Sequence, residues 1–130
     1  MNIIVLVGPS SCGKSTTLNI VYQLLLTQGA VSTNRQQEGG NPKDFSDIVE
    51  WQGKKIAFFT MGDYSGALVT AIRYYFAQNC DTLICACNNR FSRPFDEFVK
   101  HNTSQINKTR QLDSTLYIDN SIANKIVSML

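Results

Sequence analysis

The chain has 130 residues, of which 43% are hydrophobic and 17% are charged, and it carries a formal net charge of +2. This length suits one domain with one core, here residues 1–130, and this composition excludes general disorder. A charge so close to zero gives no support for nucleic acid as a partner, and no apolar stretch reaches the length of a membrane span, so we expect a cytoplasmic protein without a membrane partner.

Apolar runs and helical patterns alternate along the chain, which is typical of an α/β domain with a mostly parallel sheet of about five strands. Residues 102–112 are polar and give no clear prediction. In chain order the patterns predict a strand at 2–7, a helix at 14–28, a loop at 30–45, strands at 47–50 and 55–60, a helix at 64–78, a strand at 82–87, a helix at 95–101 after Pro94, a strand at 115–118 and a helix at 121–130.

Two of the strand predictions also specify burial or pairing. The run at 2–7 is continuously apolar, which favours a strand covered on both faces. The strands at 47–50 and 55–60 flank Gln52 and Gly53, which favour a tight turn, so these strands should form an antiparallel pair.

Residues 8–15 read GPSSCGKS and match the pattern GxxxxGK[ST] between the first predicted strand and the first predicted helix. Gly8 and Gly13 allow the backbone to wrap around phosphate oxygens, with its N–H groups facing inward at the positive end of the helix. We expect Lys14 to contact the β- and γ-phosphates, the Ser15 hydroxyl to bind Mg²⁺, and Thr16 to lie near the α-phosphate. The alternative, a turn that only joins strand to helix, leaves Lys14 without a role. The predicted nucleotide-binding residues are Gly8, Ser10, Ser11, Cys12, Gly13, Lys14, Ser15 and Thr16.

With this pattern and the strand–helix alternation, the chain resembles the P-loop NTPase superfamily in its kinase- and GTPase-like branch. The resemblance implies a three-layer α/β/α sandwich with one antiparallel edge strand. It also implies a sheet in which 55–60 lies beside 2–7, with 82–87 and 115–118 on the other side.

The resemblance further implies an acidic residue near Mg²⁺ at the end of a second strand. The pattern would place it at residue 60, where this chain has Thr60, and the nearest carboxylate that follows is Asp63. We therefore take Asp63 as the candidate for metal binding and catalysis, with the Thr60 hydroxyl contacting a metal-bound water as the alternative. Residues 63–66, DYSG, also resemble the DxxG element of GTP-binding switch proteins, although Asp63 placed before a helix is also typical of an N-cap.

Other features bear on the base and on charge stabilisation. Residues 88–91, NNRF, lack the aspartate of a guanine-reading NKxD element, so the expected ligand is ATP rather than GTP. Arg90 and Arg93 follow a strand end and, together with Lys14, are the predicted catalytic cations, since phosphoryl transfer needs stabilisation of developing charge. Arg35 and Arg110, in polar segments, are alternative cations that could close over the site. Ser32 and Thr33, in the 30–45 loop, are alternative hydroxyl residues that would approach the metal.

The sequence thus predicts a Mg²⁺-dependent nucleoside triphosphate binding protein that hydrolyses the triphosphate or transfers a phosphoryl group to a small-molecule or protein acceptor. Two alternatives stay open. One is a nucleotide-dependent switch that recruits a protein partner, and the other is a protein that binds nucleotide without efficient catalysis.

Overall fold

The computed structural model describes residues 1–109 and 115–130, the side chains of 115–117 excepted. The chain is mixed α/β, and within the described residues it contains four helices and one sheet of seven strands. In chain order these are β1 (Asn2–Gly8), α1 (Lys14–Thr27), β2 (Val31–Ser32), β3 (Gln36–Gln37), β4 (Phe45–Trp51), β5 (Lys54–Phe59), α2 (Ser65–Ala77), β6 (Thr82–Asn88), α3 (Arg93–Phe98), β7 (Asn102–Asn107) and α4 (Thr115–Ser128).

The sheet is parallel at one end and antiparallel at the other. Its strand order is β2-β4-β5-β6-β1-β7, and β3 also pairs with β4. Strands β5, β6, β1 and β7 run parallel, whereas β4 pairs antiparallel with β5, β2 and β3. The carboxyl ends of the parallel strands therefore meet at one edge of the sheet.

Strand β1 is buried on both faces because helices cover both sides of the sheet. Ile4 and Leu6 belong to an apolar cluster that includes residues of α1 and α4, while Ile3 and Val5 belong to another that includes residues of α2 and α3. Alternate side chains of a strand point to opposite faces, so a continuous apolar run supplies both cores. The two-sided burial predicted for residues 2–7 is confirmed.

Helix α1 is positioned by one apolar stripe. Leu18, Val21 and Leu25 are fully buried and follow the helical spacing, so burial of each contributes about 1.5–3 kcal/mol. The helix ends at Thr27, and Gly29, which follows the C-cap residue Gln28, has a φ of +95° that suits glycine and an N–H that bonds to the Leu26 carbonyl. Packing of these residues fixes the position of the first turn of α1, which begins within the 8–15 loop.

The expectation of a mostly parallel sheet of about five strands with one antiparallel edge strand is wrong, since the sheet is mixed and has seven strands among the described residues. Two short strands, β2 and β3, form within the predicted 30–45 loop by pairing with β4. The predicted order is wrong as well, because β6 lies between β5 and β1.

The C-terminal predictions also need correction. The strand predicted at 115–118 is the first turn of α4, where Thr, Leu, Tyr and Ile resemble a strand in isolation but precede the buried Ala123 and Ile126 of one amphipathic helix. The remaining parallel strand is β7, in the polar segment that gave no prediction. An edge strand pairs through its backbone, so its exposed polar side chains carry little pattern.

Among the described residues, the helices are all too short or too polar to cross a membrane.

Candidate phosphate-binding site

A polar cavity of about 330 Å³ opens at the edge of the sheet where the parallel strands end. Three segments form it: the 8–15 loop with the first turn of α1, the segment before β4, and the segment after β5. Clefts outside the carboxyl ends of parallel strands are the usual ligand sites of open α/β sheets. The lining residues are Ser11, Gly13, Lys14, Ser15, Thr16, Asn41, Lys43, Asp44, Thr60, Gly62 and Asp63.

The 8–15 loop is wound tightly. Ser11 and Gly13 have φ values of +61° and +91°, so the backbone adopts the left-handed conformation twice before α1 begins. Gly8 packs so closely that a Cβ atom there would meet the Lys108 carbonyl oxygen and would lie 2.7 Å from the Cys12 Sγ. Glycine at position 8 is therefore required by packing.

Within the described residues, the N-cap residue of α1 makes no side-chain cap hydrogen bond. This residue is Gly13, which has no side chain to accept a hydrogen bond, and the first turn of the helix contains no acidic residue. The first helical bond runs from Thr17 N to the Gly13 carbonyl, so the N–H groups of Lys14, Ser15 and Thr16 have no acceptor within the helix. These groups and the helix dipole favour an anion in the cavity.

Lys14 places a buried cation at the same point. Its side chain is only 5% exposed, and its Nζ donates to the carbonyls of Gly8 and Pro9 at 2.9 and 2.7 Å. The Asp63 Oδ1 lies 3.8 Å away and is the carboxylate that pairs with it. Since Asp63 is 46% exposed, this ion pair is open to solvent on one side and neutralises the lysine only in part.

Ser15 contacts the carboxylate of Asp44, which was not among the site residues predicted from the sequence. Its hydroxyl donates to the Asp44 Oδ1 at 2.7 Å, and the Thr60 hydroxyl donates to the same oxygen at 3.2 Å. The backbone N–H of Phe45 donates to the Thr60 Oγ1 at 2.9 Å, which joins the start of β4 to the end of β5. Two hydroxyls and one carboxylate thus converge beside the α1 terminus.

Asp63, in contrast, belongs to a cluster with Ser10 and Asn88. The Asn88 Nδ2 donates to the Ser10 Oγ at 3.0 Å and to the Asp63 Oδ1 at 3.1 Å, and the Ser10 hydroxyl donates to the same Asp63 oxygen at 3.3 Å. Asn88 is buried at the end of β6. It therefore links the 8–15 loop to the segment that follows β5.

A buried ion pair supports the loop from below. Lys108, directly after β7, donates to the Cys12 carbonyl at 2.5 Å and pairs with the Asp119 Oδ1 of α4 at 2.9 Å. Thr17 donates to the same aspartate oxygen at 3.1 Å. These contacts fix the position of the Cys12–Gly13 peptide, which precedes the uncapped helix terminus.

Burial raises the pKa of Cys87, at the end of β6, to about 12, with Lys14 lowering the pKa and Asp63 raising it to smaller extents. The thiol is thus protonated at neutral pH, and a protonated thiol is a poor nucleophile and a poor metal ligand.

Oxygen donors of this kind fit Mg²⁺, which keeps several waters and takes one or two carboxylates together with ligand phosphates. Asp44 and Ser15 supply a carboxylate and a hydroxyl in direct contact. The described part of the chain has no cluster of three or more histidine, cysteine or acidic residues able to hold a metal without such a ligand.

Five of the eight predicted binding residues line the cavity, namely Ser11, Gly13, Lys14, Ser15 and Thr16, whereas Gly8, Ser10 and Cys12 do not, and neither do the predicted arginines. Arg90 and Arg93 are exposed and are not among its lining residues, while Arg35 stacks on the rings of Tyr22 and Phe45, 4.8 and 4.2 Å from their centres. Arg110 lies outside the described residues.

The two hydroxyl residues proposed to approach a metal lie on the sheet edge. Ser32 donates to the Asp47 Oδ2 and Thr33 to the Ile48 carbonyl, each at 2.5 Å. The 30–45 segment reaches the cavity instead through Asn41, Lys43 and Asp44. Asp44 lies inside the predicted 30–45 loop and three residues before the start of the strand predicted at 47–50, so no pattern distinguished it from other polar loop residues.

No family model, curated protein or solved structure matches the chain.

Proposed function

We propose that the chain is a P-loop protein that binds a Mg²⁺-nucleoside triphosphate, with ATP as the expected nucleotide, and that it hydrolyses the triphosphate or transfers its terminal phosphoryl group. The observation that carries this proposal is the uncapped α1 terminus, where three N–H groups without helical acceptors and the buried Lys14 face one polar cavity. The helix terminus offers N–H donors and a positive dipole end, and Lys14 adds a cation that Asp63 offsets from its exposed side, so a polyphosphate suits the cavity.

The residues have separate roles in this proposal. Lys14 and the N–H groups of the first turn bind phosphate oxygens, and Gly8 and Gly13 permit the loop path that directs them. Ser15 and Asp44 hold Mg²⁺ in place of their mutual hydrogen bond. When bound, Mg²⁺ would neutralise charge on the phosphates and orient them.

Asp63 is positioned for a different task. It lies at the cavity beside Lys14, held by Ser10 and Asn88, and its exposed side leaves room for a water or an acceptor hydroxyl. Asp63 is therefore the candidate for orienting the attacking oxygen, and Asp44 replaces it as the candidate metal ligand.

A second function, nucleotide-dependent switching, is favoured by the contacts of the segment before β4. This segment is held at the cavity by the Ser15–Asp44 and Asn19–Lys43 hydrogen bonds, and a metal would compete for the first of them. Rearrangement of residues 39–44 would then report the bound state. Identical protease sensitivity of this segment with a diphosphate and with a non-hydrolysable triphosphate would contradict switching.

Calorimetry with ATP, GTP and their diphosphates, with and without Mg²⁺, tests the proposed binding. We expect tight binding that Mg²⁺ strengthens and that Lys14→Ala weakens at least about a hundredfold, because a charge-assisted contact to phosphate is lost. Lys125→Ala, which removes an exposed lysine of α4, is the matched control and should bind as wild type does. Absence of binding to every nucleotide would overturn the proposal.

A turnover assay distinguishes a catalytic function from nucleotide binding alone. We expect Mg²⁺-dependent release or transfer of phosphate, lost in Lys14→Ala. Nucleotide binding with no turnover, alone or with any acceptor tried, would leave a nucleotide-binding module without catalysis.

A further inference from the structure

A second, apolar groove of about 480 Å³ runs along the outer face of α1. Thr16, Ile20 and Leu24 lie one helical turn apart along it, and the aliphatic side chains of Ile20 and Leu24 are half-buried. Asn19 and Gln23 line it too, and Lys43 lies at the end nearest the phosphate cavity.

The groove and the phosphate cavity are continuous. Thr16 and Lys43 line both, and the Lys43 Nζ donates to the Thr16 Oγ1 at 3.2 Å where the two meet. Asn19 fixes this junction, because its Nδ2 donates to the carbonyls of Ser15 and Lys43 at 2.8 and 2.9 Å. These hydrogen bonds define the entrance to the groove.

The two spaces differ in chemistry. The phosphate cavity is lined by hydroxyl, charged, amide and glycine groups and offers no large apolar surface to a ring. The groove offers Ile20 and Leu24 as an apolar surface, with the Gln23 amide able to donate and accept at its edge. A nucleotide has the same division between its polar phosphate end and its flat base.

We infer that the nucleoside part of the bound triphosphate lies in this groove, its base against Ile20 and Leu24 and its α-phosphate near Thr16 and Lys43. The inference rests on the proposed function, since it requires that the phosphates occupy the cavity. Occupation by a phosphoryl acceptor or by a protein partner is the alternative that the experiment must separate.

Replacing apolar groove residues should affect nucleoside binding and leave phosphate binding intact. The variants are Ile20→Gln and Leu24→Gln, and the control is Leu26→Gln, which changes a half-buried aliphatic residue of the same helix outside the groove. Each protein is titrated calorimetrically with Mg²⁺-ATP and with Mg²⁺-tripolyphosphate, and folding is checked by circular dichroism and thermal melting. We expect each groove variant to bind ATP about five- to tenfold more weakly, with tripolyphosphate affinity and the control unchanged.

The outcomes are distinct. Unchanged ATP affinity in both groove variants would overturn the inference and leave the groove to an acceptor or a protein. Equal losses for ATP and tripolyphosphate would overturn it as well, because the substitution would then act on the phosphate cavity. Failure of the wild type to bind either ligand would instead refute the proposed function.

Discussion

Lys108 and Asp119 form a buried ion pair beneath the 8–15 loop, with 2.9 Å between the lysine Nζ and the aspartate Oδ1 and at most 2% of either side chain exposed. The same lysine donates to the Cys12 carbonyl, so the pair joins β7 and α4 to the loop. Such a pair does not stabilise the fold strongly by itself, but removal of one partner leaves an uncompensated charge.

We therefore expect Asp119→Asn to lower the free energy of unfolding by about 3–5 kcal/mol, as measured by urea denaturation. The double variant Lys108→Met/Asp119→Leu removes both charges and should recover most of that loss. The control Lys125→Ala, at an exposed position, should stay within about 0.5 kcal/mol of wild type. A change below about 1 kcal/mol in Asp119→Asn would mean that the lysine charge finds another partner.

Asp44 should determine the response to Mg²⁺. Asp44→Asn keeps the shape of the side chain but removes the charge beside the Ser15 hydroxyl, so the gain in ATP affinity on adding Mg²⁺ should shrink about tenfold or more. Calorimetry with and without Mg²⁺ measures this gain. Asp96→Asn, at an exposed position of α3, is the control. A loss of Mg²⁺ response in Asp63→Asn with none in Asp44→Asn would return the metal site to the residue expected from sequence.

Gly8 should tolerate no side chain. In Gly8→Ala the new Cβ would meet the Lys108 carbonyl and the Cys12 Sγ, so the loop must shift, at a cost of about 1–3 kcal/mol and with loss of nucleotide binding. Thermal melting and titration with ATP check both effects. Gly40→Ala introduces a Cβ with nothing within 4 Å and should leave stability and affinity unchanged. Wild-type affinity in Gly8→Ala would show that the loop path can adjust.

Lys43, rather than the arginines after β6, should supply the second cation at the phosphates. Lys43 lines the cavity whereas Arg90 and Arg93 do not. Lys43→Ala should therefore weaken Mg²⁺-ATP binding about three- to tenfold at low salt and less at high salt, because an exposed charge is screened. Arg90→Ala and Arg93→Ala should bind as wild type. A larger loss of affinity in either arginine variant would contradict this assignment.

The sequence patterns predicted those parts of the fold in which burial of a segment's own side chains determines its structure. Strand β1 and helix α1 bury their own apolar residues, so their periodicity is visible in the sequence, and the glycines at 8 and 13 mark the loop between them. Strand β7 was missed because Ile106 is its only buried residue and the strand is held by backbone pairing with β1. The first turn of α4 was mistaken for a strand because β-branched and aromatic residues favour strands until distant packing decides otherwise.

The sequence predicted only the part of the candidate site that a single segment forms. The 8–15 loop and Lys14 could be identified from eight adjacent residues. Asn88 meets Asp63 because β6 lies beside β5, and Asp44 meets Ser15 because the β4–β5 pair is joined to β1 through β6. Such juxtapositions depend on the strand order, which the sequence alone did not reveal.

The contact between Lys108 and the Cys12 carbonyl joins residues 96 positions apart. Because a ribosome makes the chain from its amino terminus, the loop emerges long before the lysine that holds its peptide in place. The β1–α1 unit can begin to form early, yet the loop reaches its final shape only after β7 has paired and α4 has been made. Nascent chains that end before residue 119 should therefore lack the loop geometry of the finished protein and, under the proposed function, its affinity for nucleotide.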